Sequence, residues 1–137
     1  MAGGRGAGGL ETSSLALGLT GAALAFLHQE AANRPALRVP AERLAVTHEA
    51  LRHELRRLAE EGGTADAAAA LRARANALVL RATQAALTAG KGTGFVRPHP
   101  VQRWARQALF FLVWSCPRPA AEATVASLVP LDGPVCS

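Results

Sequence analysis

The chain has 137 residues, half of them hydrophobic, which is enough for one domain with its own packed core and no need of metals or disulfides. Alanine dominates, Tyr is absent and aromatics make up 4%, a composition that favours helices over strands. The net charge of +5 comes from 15 basic residues scattered along the chain rather than gathered in a block, with few aromatics to stack on bases, so nucleic-acid binding is not expected.

Residues 1–9 are glycine-rich and are expected to form a flexible N-terminus. Thr12 or Ser13 is placed to cap a first helix that runs to about Asn33, where Arg34-Pro35 stops it. Its interior glycines, Gly18 and Gly21, weaken a helix but permit close approach of a neighbour, so this helix is expected to be buried. The apolar run Leu15 to Leu27 behind Arg5 has the look of a secretory signal core. Glu11 ahead of it, and His28-Gln-Glu30 where a small-residue cleavage site would stand, argue against that. At 13 residues the run is too short to span a bilayer.

Pro40 opens a second helix in which Leu44, Leu51, Leu55 and Leu58 form the stripe and Gly62-Gly63 the stop. Thr64 then caps a third helix, with Asp66 in its first turn and Leu71, Ala75, Leu78, Ala82 and Ala86 on the packed side, closing at Gly90. So short a turn makes the two helices antiparallel neighbours. A fourth helix starts at Pro100 with Val101, Trp104, Ala105, Ala108 and Leu112 inward and Gln102, Arg103, Arg106 and Gln107 outward. It becomes apolar all round over Leu109 to Trp114, which predicts burial on every side. Pro117 ends it, and a short last helix runs from Pro119 to about Leu128. The sum is an all-α fold: an antiparallel, up-down four-helix bundle with a short C-terminal extra helix, occupying residues 10–129 ahead of a tail, 130–137.

Candidate chemistry is sparse. Cys116 and Cys136 make no C-x-x-C pair and have no histidine at a ligand spacing, so reduced thiols in a cytoplasmic protein are expected. His48 and His53 lie about 140° apart around a helix, so with His28 and His99 they read as surface histidines and not as a metal set. Ser115-Cys116 near His99 lacks an orienting third group for nucleophilic catalysis. The segment with most content is Lys91-Gly-Thr-Gly-Phe-Val-Arg-Pro-His-Pro100. It is a glycine-rich loop feeding a helix N-terminus, where backbone N–H groups can reach a phosphate.

The order of these pieces, with Gly92, Gly94, Phe95, Pro100, Arg103, Arg106 and Ala108 in a stretch from Thr88 to Ala108, resembles the C-terminal domain of the acyl-CoA dehydrogenases. Leu17-Gly18-Leu19 and Arg34-x-x-Leu37 resemble that family's first helix, and the likeness covers roughly residues 8–119. The resemblance implies an FAD-dependent oxidoreductase acting on acyl-CoA thioesters and a homo-oligomer, dimer or tetramer, that binds FAD across a subunit interface. Arg34, Lys91, Gly92 and Gly94 would then lie at the FAD diphosphate, Arg34 as a charge-assisted fork and Lys91 as a point charge.

The departures concern chemistry. Thr88 stands where that family has glutamine, and Ser115 stands at the position of its catalytic glutamate. Gly8 occupies the alternative place for that base, which leaves Glu11, one turn further on, as the candidate for a relocated base. The family's two preceding domains have no counterpart in the sequence, so the chain is expected to be inactive alone, as the tail of a longer enzyme, a separate subunit or a truncated frame. The alternative is a noncatalytic helical interaction module that kept the bundle and lost the cofactor, with Arg34 merely closing a helix.

Overall fold

The computed structural model describes residues 3–90, 99–113 and 118–129, all in helices and their connections, with no strand among them. Five α-helices follow in order: α1 (Gly3–Ala31), α2 (Arg38–Glu61), α3 (Ala65–Gly90), α4 (Pro100–Phe110) and α5 (Arg118–Leu128), with a short 3-10 helix at Pro35–Leu37. The expected all-α bundle with a fifth, short helix is what forms. α3 is its axis, packing against α1, α2, α4 and α5.

Helix ends follow local chemistry. Thr64 Oγ1 accepts the Ala67 N–H at 3.0 Å, a side-chain cap on an otherwise unpaired donor. Gly62 closes α2 at φ 78°, a left-handed conformation that costs other residues about 1–2 kcal/mol, with its N–H on the Leu58 carbonyl. Pro100 occupies the first turn of α4, and His99 Nδ1 accepts the Val101 N–H there. Pro40 falls inside the first turn of α2, which begins two residues earlier than expected because the first turn of a helix needs no N–H from proline.

α1 departs from expectation at its start. It begins at Gly3, so Thr12 and Ser13 are buried interior positions rather than caps. The five glycines among residues 3–9 offer no propensity argument for that extension, and we have no physical account of it.

Two apolar clusters fill the bundle. At one end Ala16, Leu17, Leu51, Leu58, Leu71, Leu78, Ala108 and Phe111 meet; at the other, Ala23, Leu24, Leu27, Ala41, Ala82, Ala86, Ala89 and Val101. These pairings run α4 antiparallel to α1, and α3 antiparallel to α2. Leu71, Ala75, Leu78, Ala82 and Ala86 are all buried, as their spacing predicts, and each fully buried leucine contributes about 1.5–3 kcal/mol. At Gly21 a Cβ would lie 3.7 Å from the His48 ring, an ordinary contact, so the expected close approach does not require glycine there. At Gly18 a Cβ would meet nothing within 4 Å, so that glycine has no packing reason.

The expectation that the C-terminal half of α4 is buried all round is wrong. α4 stops at Phe110, and Leu109, Phe110 and Val113 are 55%, 52% and 77% exposed. Only one side of the segment, Phe111 with half-buried Leu112, reaches the core, because α1 and α3 cover α4 from one direction alone. Trp114 lies outside the described residues.

The helical stretch Leu10–Ala31, 22 residues, is long and apolar enough to cross a membrane by length and composition, although the apolar run inside it is shorter. Here it is a core helix, with Ala16, Leu17, Thr20, Ala23, Leu24 and Leu27 buried.

Candidate functional site

Arg34 follows α1 and heads the 3-10 turn, where its backbone N–H closes on the Glu30 carbonyl. From there its side chain crosses to the far end of α3: Nη1 donates to the Ala89 carbonyl and lies 3.7 Å from Glu30 Oε2, with about a third of the side chain exposed. Ala89 is the last buried residue before the glycine loop, and Val101 is the first buried residue after it. Both belong to one apolar cluster, so the two ends of the loop are anchored together beside Arg34.

Aromatic contacts brace the start of α4 against α1. Phe26 of α1 meets the His99 ring edge-on at 5.8 Å and the Trp104 ring at 6.1 Å. The sequence-predicted residues Arg34 and the loop stem are thus brought together at one end of the bundle. Lys91, Gly92 and Gly94 themselves lie outside the described residues, as do Ser115 and Cys116.

Arg34 does close a helix end here. Its bond to Ala89 satisfies one of the carbonyls that the last turn of α3 leaves unpaired. A guanidinium nevertheless carries five donors, and the contacts with Ala89 and Glu30 do not use them all. Among the described residues donors therefore remain for an anion, although Glu30 offsets part of the attraction at its distance.

Glu11 is not brought to this site. It is exposed on α1, and α1 extends through it to Ala31, so about 30 Å of helix separates Glu11 from the Arg34 end. It is also several turns inside α1, too far from the helix N-terminus to be a partner of the helix dipole. Glu11 instead lies one turn before Leu15, on the side of α1 that flanks a groove against α4.

That groove, about 500 Å³, is lined by Leu15, Leu19, Arg106, Gln107, Phe110 and Phe111. A second, smaller one between α1 and α2, about 380 Å³, includes Gly18, His48, Arg52 and Arg56. Among the described residues no group of three or more potential metal ligands comes together.

Several polar residues with structural roles escape a sequence reading. His48 is no simple surface histidine: its Nε2 lies 2.8 Å from the Leu17 carbonyl, clamping α2 onto α1. His99 is half-buried as the α4 cap, whereas His28 and His53 are exposed as expected. Asn76 is fully buried, donates from Nδ2 to the Phe111 carbonyl at 3.1 Å, and so ties α3 to the end of α4. Its Oδ1 has no hydrogen-bond partner among the described residues. Arg72 is 2% exposed, unusual for a charged residue. Its place in the alanine-rich run Ala65 to Ala77, on the same side as Asn76, was the available signal.

No protein-family model matches the chain, and no curated protein matches it. A solved structure does, that described as "Electron transferring flavoprotein of Acidaminococcus fermentans: Towards a mechanism of flavin-based electron bifurcation", with TM-score 0.75 and 22% identity. The alignment covers 92% of this chain and 37% of that one, so the chain spans well under half the length of the structure it resembles. At that identity the likeness establishes the fold. It also corrects the family expectation: the matching structure is described as an electron transferring flavoprotein and not an acyl-CoA dehydrogenase. The motif misled because glycines before a proline, with arginines at turn spacing after it, are what any loop feeding an amphipathic helix requires.

Proposed function

We propose that this chain is the helical-bundle part of a flavoprotein assembly, in which the loop end takes part in holding a flavin and the rest of the bundle meets further polypeptide. The single observation that carries this is the convergence of Arg34 with both anchored ends of the glycine loop. The likeness to a flavoprotein structure supports it. If the flavin is FAD, its diphosphate is the group that Arg34, Lys91, Gly92 and Gly94 would face, through charge-assisted N–H donation and close backbone approach. The bound flavin would supply the redox chemistry; the chain's own contribution is to bind and orient. Glu11, about 30 Å along α1, has no part at that end.

A second reading, a noncatalytic interaction module without cofactor, is favoured by the commitment of Arg34 to Ala89 and by Glu30 beside it. The two separate on one preparation. Protein incubated with FAD and freed of unbound flavin is expected to retain it near one equivalent, and Arg34→Ala and Gly94→Val each to weaken retention with helical content unchanged. Light scattering on the same sample reads the dimer or tetramer that the sequence suggests. Protein that stays colourless, or retention untouched by both substitutions, removes the flavin assignment and leaves the interaction module.

A further inference from the structure

The end of α4 presents an apolar surface that the bundle does not cover. Phe110 and Leu109 are half exposed, Val113 more so, and across the groove Leu15 of α1 is 66% exposed. Leu15, Leu19, Phe110 and Phe111 form the groove's apolar bed, with Arg106 and Gln107 along the α4 rim. Large side chains gathered on one face differ from the singly scattered apolar residues of an ordinary surface, and such a patch marks a contact with another polypeptide or a ligand.

Charge says which kind of partner. Arg106, and Arg103 one turn before it, are exposed and, like Arg38, Arg43, Arg57 and Arg81, form no ion pair among the described residues; what sets Arg106 and Arg103 apart is their place on the helix that walls the apolar groove. Glu11, one turn before Leu15, supplies the opposite sign at the far end of the α1 side. Two copies of the same face placed together would gather four arginines, Arg103 and Arg106 from each, against two Glu11 carboxylates, an excess of like charge at the seam. The matching solved chain is much longer than this one, so in that protein a bundle of this shape is one part of a larger body.

We propose that the α1–α4 groove docks an amphipathic helix of a different polypeptide, its apolar stripe seated on Leu15, Leu19 and Phe110 and its flanking carboxylates facing Arg103 and Arg106. This deepens the reading of the chain as part of an assembly and rests on that premise, but not on flavin binding. Anchors at helical spacing in a preformed apolar groove are a common mode of peptide recognition.

The test uses the full-length chain and two synthetic amphipathic helices that share one leucine stripe and differ only in flanks, all glutamate or all lysine. Fluorescence anisotropy is expected to show the glutamate-flanked helix binding at least about tenfold tighter, a preference that weakens with added salt. Phe110→Asp should lower that affinity by about tenfold or more, and the double variant R103E/R106E should reverse the preference toward the lysine-flanked helix; circular dichroism checks that all variants fold. If Phe110→Asp fails to fold, the charge reversal at two exposed positions decides alone. Equal binding of the two helices, no binding, or a preference that survives R103E/R106E would overturn the proposal. So would a concentration-dependent dimer abolished by Phe110→Asp, which would assign the face to a second copy. Peptide binding by protein that retains no FAD would refute the flavin assignment and leave this one standing.

Discussion

Replacing Arg34 by alanine should loosen the end of α3 from which the glycine loop departs. The substitution removes a charged donor from the Ala89 carbonyl and an ion pair with Glu30. A hydrogen bond to a charged group contributes about 1.5–3 kcal/mol, and partial exposure of this one places it at the lower end. The ion pair, at 3.7 Å and a third exposed, adds no more than a few tenths. A loss of about 1–2 kcal/mol is therefore expected, equivalent to roughly 4–8 °C in Tm for a domain of this size. Thermal melts followed by far-ultraviolet circular dichroism read the global loss. Amide exchange reads where it falls, with faster exchange confined to the last turn of α3 and the residues it leads into. Glu30→Gln should cost little, and Arg34→Lys should recover part of the stability but not the fork geometry. A melting point unchanged within about 1 °C, with unaltered exchange at the end of α3, would show that the Ala89 contact contributes nothing. Arg34 would then be free to serve only an anion.

The two glycines that the structure separates should respond with opposite signs. Gly18→Ala, on an open helix face, should raise stability by about 0.5–1 kcal/mol, and Gly62→Ala, at φ 78°, should lower it by about 1 kcal/mol; chemical denaturation measures both, and a shared sign would contradict the assigned conformations. Asn76→Asp places a buried carboxylate against the Phe111 carbonyl and should cost more than about 3 kcal/mol at neutral pH. Burial raises the folded-state pKa of such a carboxyl, so the deficit should shrink as pH falls toward and below the ordinary aspartate value; a melt series that shows no recovery in acid would place the introduced carboxylate in water instead.

Most of the fold was legible because it is written in local patterns. The leucine spacing of α2, the alanine-and-leucine face of α3, the Thr64 cap, the Gly62 stop and Pro100 each need only a few neighbouring residues to be interpreted. The exposed end of α4 was not legible, since an apolar run looks the same whether a bundle or a partner covers it. Nor was the start of α1, where glycines argue against the helix that forms. His48 and Asn76 were hidden for another reason: each gains its role from a carbonyl 31 or 35 residues away, a distance no spacing rule spans. At the candidate site, Arg34 and the loop could be singled out separately, but that they meet through Ala89 is a tertiary fact. The family resemblance drew on the same few glycines and arginines twice, once as a motif and once as an architecture.

Because α3 is in contact with each of the other four helices, no helix pair can be excised with a closed core of its own. The chain should therefore melt as one cooperative block, its slowest-exchanging amides lying between Leu71 and Ala86. A lesion at either extremity of the molecule would then lower global stability as read at the other, beyond whatever local fraying it causes at its own end. Small residues along that central rod, Ala75, Ala82 and Ala86, are the positions where enlargement is least tolerable, which leaves evolutionary latitude to the outward faces of its neighbours.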